Sequence, residues 1–190
     1  MALGYVNLLA HAVSDGTALT NTTTATSILP AHAKWNYPAN WAGEAPGKKL
    51  LLTAHGRIST VVTTPGTLTL AFRLGPTSNI VVASSQAFAL NTVAKTNTSW
   101  WLNLMLTVRA VGSGTSANIM TNGTFSSEAV IGSPLQSAGG IGTLPWQASA
   151  PAVGTGFDST VANIGDLYAT WSLTNANSIQ VHDYALVSLN

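Results

Sequence analysis

Residues 67–74 read TLTLAFRL, and this stretch decides the fold because apolar side chains occupy every second position. In an extended strand, successive side chains point to opposite faces, so the apolar residues share one face and the remaining residues lie opposite. The residues on the apolar face are Leu68, Leu70, Phe72 and Leu74. The stretch is therefore predicted to be a half-buried β-strand.

The same period of two recurs along the chain. Residues 100–111 place one apolar stripe on a single face: Trp100, Leu102, Leu104, Leu106, Val108 and Ala110. Residues 167–173 place another: Leu167, Ala169, Trp171 and Leu173. Weaker strand candidates cover residues 17–28, 49–54, 57–63, 79–90, 116–121 and 178–189. Helical spacing does not persist over a full helix in this sequence, which favours an all-β fold.

Turn residues separate the candidate strands, among them Pro65-Gly66 and Asn122-Gly123, and His55 before Gly56 is predicted to end a strand at a turn. Short strands joined in this way predict an antiparallel β-sandwich, jelly-roll-like, as one domain over residues 17–190. Residues 1–16 are predicted to form an N-terminal arm or a short helix. Two long loops are expected, an aromatic one at 30–47 and a Gly-rich one at 132–156.

Charged residues are unusually rare. They make up 7% of the 190 residues, against roughly 25% in an ordinary soluble domain. A surface with so little charge repels other proteins weakly, and so it favours contact with neighbouring subunits. The basic residues are scattered apart from Lys48-Lys49, which argues against a nucleic-acid partner. No apolar run approaches the ~20 residues of a membrane-spanning helix.

The residues that could support catalysis lack the necessary context. The chain has no cysteine, and a Gly-x-Ser-x-Gly elbow is missing. A glycosidase pair could be assembled from Glu44 with Asp158 or Asp166, but nothing in the spacing favours either pair. Asp158 is predicted to cap a turn instead. Adjacent His182 and Asp183 would point to opposite faces of a strand. We therefore expect no enzyme, no metal site and no cofactor.

The aromatic residues are the remaining candidates for a functional role. If Trp100 joins the core stripe, Trp101 must lie on the opposite face beside Asn103 and Met105. An outward tryptophan can pack against its own subunit, pack against a neighbour, or stack on a sugar ring. The candidate contacts with a partner or a second subunit are Trp35, Tyr37, Trp41, Trp101, Met105 and Trp146.

Several stretches resemble small virion structural proteins of tailed bacteriophages. They are TNTTTATSILP at residues 20–30, GRIST at 56–60, TPGTLTL at 64–70, residues 100–112, and the last strand, which ends at Leu189-Asn190. The resemblance is one of sequence style over most of the chain, without a diagnostic catalytic or binding motif.

The resemblance implies a jelly-roll-like head decoration (cement) protein, often trimeric, that binds the major capsid protein and stabilises the assembled head. Such a protein would be made in the host cytoplasm and would lie on the capsid surface of the virion. Two alternatives stay open. One is a receptor- or glycan-binding module of a tail fibre or tip, suggested by Trp35, Trp41, Trp101 and Trp146; the other is a shell-forming capsid protein.

Overall fold

The computed structural model describes residues 6–43, 46–61, 63–131 and 141–189. Its regular structure is almost entirely β, with one 3-10 turn at Ala31–Ala33. The strands are β1 Asn7–His11, β2 Leu19–Thr20, β3 Thr26–Ser27, β4 Trp35–Tyr37, β5 Lys49–Thr60, β6 Thr67–Leu74, β7 Ile80–Ser84, β8 Phe88–Ala89, β9 Lys95–Ala110, β10 Asn118–Ser127, β11 Gly142–Pro145, β12 Asn163–Trp171 and β13 Ser178–Ser188. None of the helical turns in the described ranges is long enough to span a membrane.

The strands form two antiparallel sheets that pack face to face. The larger sheet has the order β1-β13-β5-β9-β10-β11, with β2 also paired to β13. The smaller sheet has the order β3-β12-β6-β7, with β4 paired to β12 and β8 to β6. Each sheet combines strands from both ends of the chain, which is the arrangement of a jelly roll. The predicted antiparallel, jelly-roll-like sandwich is confirmed.

The core lies between the two sheets and is rich in aromatic rings. Phe125 of the larger sheet stacks on Phe88 of the smaller one, with ring centroids 4.9 Å apart, and on Trp100 at 5.7 Å. All three rings are fully buried. The predicted stripe at residues 67–74 is also confirmed, since its apolar residues are 0% exposed in β6. Aromatic contacts across the sandwich therefore fix the two sheets against each other.

One strand boundary was predicted wrongly. His55 and Gly56 lie in the middle of β5, which runs without a break from Lys49 to Thr60. The glycine is needed for close packing, because a Cβ at this position would collide with the carbonyl oxygen of Gln180 on the neighbouring strand β13. β13 has a bulge between Val181 and Asp183 at the same place. Gly56 thus marks a close approach between the neighbouring strands β5 and β13 and not a turn.

The N-terminal segment contains a β-strand and not a helix. Residues 7–11 form β1 at the edge of the larger sheet, where Asn7 pairs with Ser188 and His11 with Ala185 of β13. Residues 1–5 of the predicted arm lie outside the described residues. The predicted loop at 30–47 contains the 3-10 turn and β4, with residues 44 and 45 undescribed. The predicted loop at 132–156 contains β11, and residues 132–140 fall outside the description.

Candidate functional site

The side of the larger sheet that faces away from the core carries the exposed candidate residues. We call this surface the outer face and define it by three outward residues on each of four central strands. They are Leu51, Thr53 and His55 of β5; Trp101, Asn103 and Met105 of β9; Asn122, Thr124 and Ser126 of β10; and Asp183, Ala185 and Val187 of β13.

Two neighbouring tryptophans fix the orientation of the outer face. Trp100 is fully buried, and its indole N–H is placed to donate to the carbonyl oxygens of Arg57 and Gln180, each at 3.2 Å. Trp101 is 41% exposed on the other side of the sheet. The predicted split of this pair between core and surface is confirmed. Since Trp100 is held by both packing and hydrogen bonds, the strand cannot rotate to bury Trp101 instead.

The strand register arranges the outer face in rows. Trp101 lies between His55 of β5 and Ser126 of β10, and His55 in turn lies opposite Asp183 of β13. His55 Nδ1 is 3.9 Å from the Asp183 carboxylate. On the far side, the Ser126 hydroxyl is hydrogen-bonded to that of Thr143 at 2.8 Å. A partly exposed indole therefore has polar side chains on both flanks.

A second row is apolar, and of its four residues only Met105 was among the predicted contact residues. Met105 pairs with Leu51, Leu51 with Val187, and Val187 with Leu8 of β1. Leu8 is 53% exposed, and the other three side chains are partly exposed. A signal was present in the three consecutive leucines at 50–52, because a strand must turn one of them outward. Together with Trp101, this row gives the outer face apolar contact area.

Charged residues lie around the outer face and not at its centre. Among its twelve positions, only Asp183 carries a formal charge at neutral pH. It lies on β13, outside the segment of that strand that pairs with β1. Lys49 and Arg57 flank the outward residues of β5 at either end. Arg109 continues the outward side of β9, where its guanidinium is 2.8 Å from Met120 Sδ. The surface thus has an uncharged centre and a charged rim.

Three of the predicted contact residues lie inside the chain. Tyr37 is 0% exposed, Trp146 1% and Trp41 7%. Tyr37 and Trp41 pack with Trp35 in one aromatic cluster, where the Tyr37 and Trp41 ring centroids are 4.4 Å apart. We therefore correct the expectation for these three residues, because their rings are buried within the chain, although one edge of Trp41 also lines a surface cleft. Trp35, Trp101 and Met105 keep exposed surface.

The aspartate at 166 has a structural role. Its carboxylate is 1% exposed and lies 2.8 Å from the ammonium group of Lys34. The Ser27 hydroxyl donates to it at 2.9 Å. Burial raises the pKa of Asp166 above its ordinary value, and the hydrogen bonds and the charge of Lys34 oppose this shift only in part. The carboxylate of Asp166, which belongs to β12, therefore links this strand to β3 through Ser27 and to the 30–47 loop through Lys34.

The turn predicted around Asp158 is confirmed. Its carboxylate accepts hydrogen bonds from the Thr160 hydroxyl at 2.6 Å and from the backbone N–H groups of Thr160 and Gly114, each at 2.8 Å. These hydrogen bonds, the Thr160 hydroxyl foremost, lower the pKa of Asp158. Asp158 therefore joins two loops at one end of the sandwich.

Other carboxylates are paired with cations or with histidine. His182 Nδ1 is 2.8 Å from Asp15, and Lys95 Nζ is 2.8 Å from Glu128. Glu44, one half of the glycosidase pairs considered above, lies outside the described residues. Within the described ranges, no group of three or more His, Cys, Asp or Glu side chains is arranged to hold a metal ion. What the outer face offers chemically is contact area and hydrogen bonds.

Comparisons with known proteins return nine chains of solved structures, one of which comes from a bacteriophage. No protein-family model matches the chain, and no curated protein matches it. The bacteriophage structure is described as the CBM2 module of Lactobacillus casei BL23 phage J-1 evolved Dit. It is 11% identical, with a TM-score of 0.32, and the alignment covers 98% of this chain and 97% of that one. Similarity at this level carries no argument about function.

Proposed function

We propose that this chain is a non-enzymatic structural protein of a bacteriophage virion, a head decoration protein that attaches to the assembled shell through its outer face. The observation that carries the proposal is the distribution of residue types on that face. Trp101 and Met105 lie on the central strand β9 with the uncharged Asn103 between them, and the charged side chains of Lys49, Arg57, Arg109 and Asp183 lie toward the margins of the face. The partner would be the major capsid protein.

Protein–protein interfaces have the same anatomy. Their centres are poor in charged residues and rich in aromatic residues and methionine, while charged residues occupy the solvated rim. Tryptophan is also among the residues whose truncation costs binding most. Trp101 stands on β9, which is paired on both sides, so that little backbone freedom is lost on contact. These properties support a binding role for the outer face.

The size of the outer face bears on how attachment would work. Four strands about 4.8 Å apart and five residues in length cover on the order of 300 Å². A stable interface uses roughly 800 Å² per partner, so one copy would bind weakly through this face alone. Several linked copies would bind much more firmly, because the later contacts form within one complex. This supports the homo-oligomer that we propose, and the favoured number of three copies comes from the resemblance to decoration proteins.

The jelly-roll architecture is compatible with this role but does not select it. Jelly rolls occur in viral capsid domains and in lectins, and a fold alone does not specify a function. The tail-associated alternative would place the same outer face against a tail protein or a host receptor. The shell-forming alternative would require the chain to assemble without a partner.

The test is attachment to undecorated phage heads. Purified chain is incubated with heads built from the major capsid protein of the same phage, and the particles are imaged by electron cryomicroscopy. We expect ordered density on the shell, with Trp101 at the contact. The variant Trp101→Ala should lower occupancy about tenfold or more, as removal of a central interface tryptophan does.

The matched control is Leu173→Ala, because Leu173 is exposed to a similar extent, 44%, but follows β12 of the opposite sheet. It should bind as the unmodified chain does. Bare shells at saturating protein would refute the proposal. Closed shells formed by the chain alone would favour the shell-forming alternative. Mass measurement in solution tests the trimer, which should weigh three times the 19.6 kDa of one chain.

A further inference from the structure

A trench follows the edge of the sandwich on the side of β1, away from the outer face. It consists of two adjoining clefts of about 360 and about 560 Å³. Trp35 and Leu9 line both clefts and therefore stand between them. Volumes in this range are typical of ligand sites, which lie in concave places lined by apolar and aromatic side chains with a few polar groups.

The indole of Trp35 is held in a fixed orientation. Its ring meets Tyr37 edge-on, with centroids 3.8 Å apart, and Trp41 at 5.9 Å. Tyr37 is fully buried, so the support beneath Trp35 belongs to the core. A ring that is already ordered loses little freedom when a ligand stacks on it.

In each cleft a hydrogen bond joins two of the lining residues. On one side, the backbone N–H of Val13 donates to Nε2 of His32 at 3.0 Å. On the other, Lys48 Nζ donates to the carbonyl oxygen of Trp41 at 2.9 Å and lies 5.9 Å from the centre of its ring. The trench is therefore a preformed feature of the fold.

The polar groups of the trench favour a ligand rich in oxygen acceptors. Asn7 and Lys48 line the first cleft, and Lys34 and Asn36 the second. Trp41 lines the first cleft as well, and its buried indole N–H has no hydrogen-bond partner in the part of the chain that the structure describes. No carboxylate is among the described residues lining either cleft, and Asp166, the partner of Lys34, is buried. The charge of Lys34 is paired with Asp166, so it is the ammonium group of Lys48, bonded to a neutral carbonyl, that brings positive charge to the trench.

We propose that this trench binds a glycan chain carrying acidic substituents, with one sugar ring stacked on Trp35 and the neighbouring sugars in the two clefts. The apolar face of a sugar ring matches the indole, and its hydroxyl oxygens accept hydrogen bonds from Asn7, Asn36 and the ammonium groups. A carboxylate or phosphate substituent pairs with Lys48, whose ammonium group carries three donors.

An extended peptide fits this edge less well. A peptide that adds a strand to a sheet needs a regular row of backbone groups on the edge strand. β1 has a register irregularity between Leu8 and Ala10, and such a bulge interrupts the row. A ligand that relies on stacking and on side-chain donors does not need a continuous edge.

The first experiment screens the intact chain on an array of neutral, carboxylated and phosphorylated oligosaccharides. Titration calorimetry then compares the strongest ligand with its carboxyl-reduced or dephosphorylated derivative. We expect the acidic form to bind about tenfold more tightly at low salt, and this advantage to shrink as salt rises. Binding confined to neutral sugars would refute the proposal that the ligand is acidic. An array without any bound oligosaccharide would refute the proposal that the trench binds a glycan.

Variants locate the binding in the trench. Trp35→Ala should weaken binding about tenfold or more, Trp35→Phe should retain most of it, and Lys48→Gln should reduce the salt dependence. Trp101→Ala is the control for an exposed tryptophan elsewhere and should leave the affinity unchanged. Thermal unfolding of each variant separates lost binding from lost structure. If Trp101→Ala abolished binding while Trp35→Ala folded and bound normally, the ligand would lie on the outer face and the proposal would be wrong.

Discussion

The ammonium group of Lys34 lies 2.8 Å from Oδ2 of Asp166, a carboxylate that is 1% exposed in the wall of the sandwich. Lys34 itself is 30% exposed. The two residues are 132 positions apart in the sequence, and their pairing fixes the 30–47 loop to β12. Breaking one side of a buried pair leaves the other charge uncompensated, which makes this contact a sensitive point of the fold.

Replacing Lys34 is therefore predicted to destabilise the chain. Lys34→Ala should lower the free energy of unfolding by about 3 kcal/mol, the lower end of the range for a broken buried pair, since solvent reaches part of Lys34. Urea denaturation measures the change. Lys34→Ala made in a chain that already carries Asp166→Asn is the control, because no carboxylate is then left uncompensated. Equal effects of Lys34→Ala in the two chains would contradict the role given to Asp166.

The raised pKa of Asp166 makes its contribution depend on pH in a defined direction. A carboxyl whose pKa is higher in the folded state contributes stability fully below the unfolded value of 3.8, and this contribution is lost as the pH rises through the folded pKa. The cost of Asp166→Asn should therefore be largest in acid and shrink as the pH rises. Unfolding free energies at pH 3.5, 5 and 7 test this; a cost that grew with pH would reverse the conclusion.

Asp158 is predicted to behave in the opposite way. Its pKa is lowered by hydrogen bonds from Thr160 and Gly114, so its contribution is present above 3.8 and lost as the pH falls through the folded value. Asp158→Asn should reduce the melting temperature at pH 6 and have little effect below pH 3. Thermal melts at both pH values compare the variant with the unmodified chain. A uniform decrease would mean that the charge of Asp158 is not involved.

The neighbours Trp100 and Trp101 should respond very differently to truncation. Trp100→Ala removes a fully buried ring and two hydrogen bonds, and the cost should be about 3–5 kcal/mol. Trp101→Ala should cost about 1 kcal/mol or less, because the ring is 41% exposed and lies outside the core. Denaturant titration of both variants provides the comparison. Similar losses would show that Trp101 is a structural residue.

Gly56 should not tolerate a side chain. Gly56→Ala would force a Cβ against the backbone of Gln180, and the expected cost is at least about 1–3 kcal/mol. Gly114→Ala serves as the comparison, since its Cβ would meet open space although its φ of +64° is unfavourable for alanine. Unfolding measurements should rank Gly56→Ala as the more damaging change. The reverse order would mean that β5 and β13 can move apart at this point.

The sequence predicts the fold better than it predicts the site. Strict alternation identifies β6, β9 and β12, because the period of two directly reports one buried and one open face. The same logic places Trp100 inside and Trp101 outside. It fails at Gly56, where glycine serves close packing and not a turn. It also fails for Tyr37, Trp41 and Trp146, because period alone does not tell whether an aromatic residue in an irregular segment folds back onto its own core.

The trench could not be predicted from local patterns. It depends on β1 lying beside the 30–47 loop, and the residues that meet there are distant in sequence, such as Asn7 and Lys48. The apolar row of the outer face depends on register as well. Leu8 and Met105 come into one line only through β13 and β5. Such arrangements follow from strand pairing, which single-strand periodicity does not specify.

The pairing of Asn7 with Ser188 has a mechanical consequence. The two ends of the sandwich leave the same corner of the sheet, so a pulling force applied through them opens β1 from β13 as a zipper does. The hydrogen bonds of this pair then carry the load one after another and not together. Under tension the edge strand would peel away first, while the sheet from β13 to β11 stayed closed.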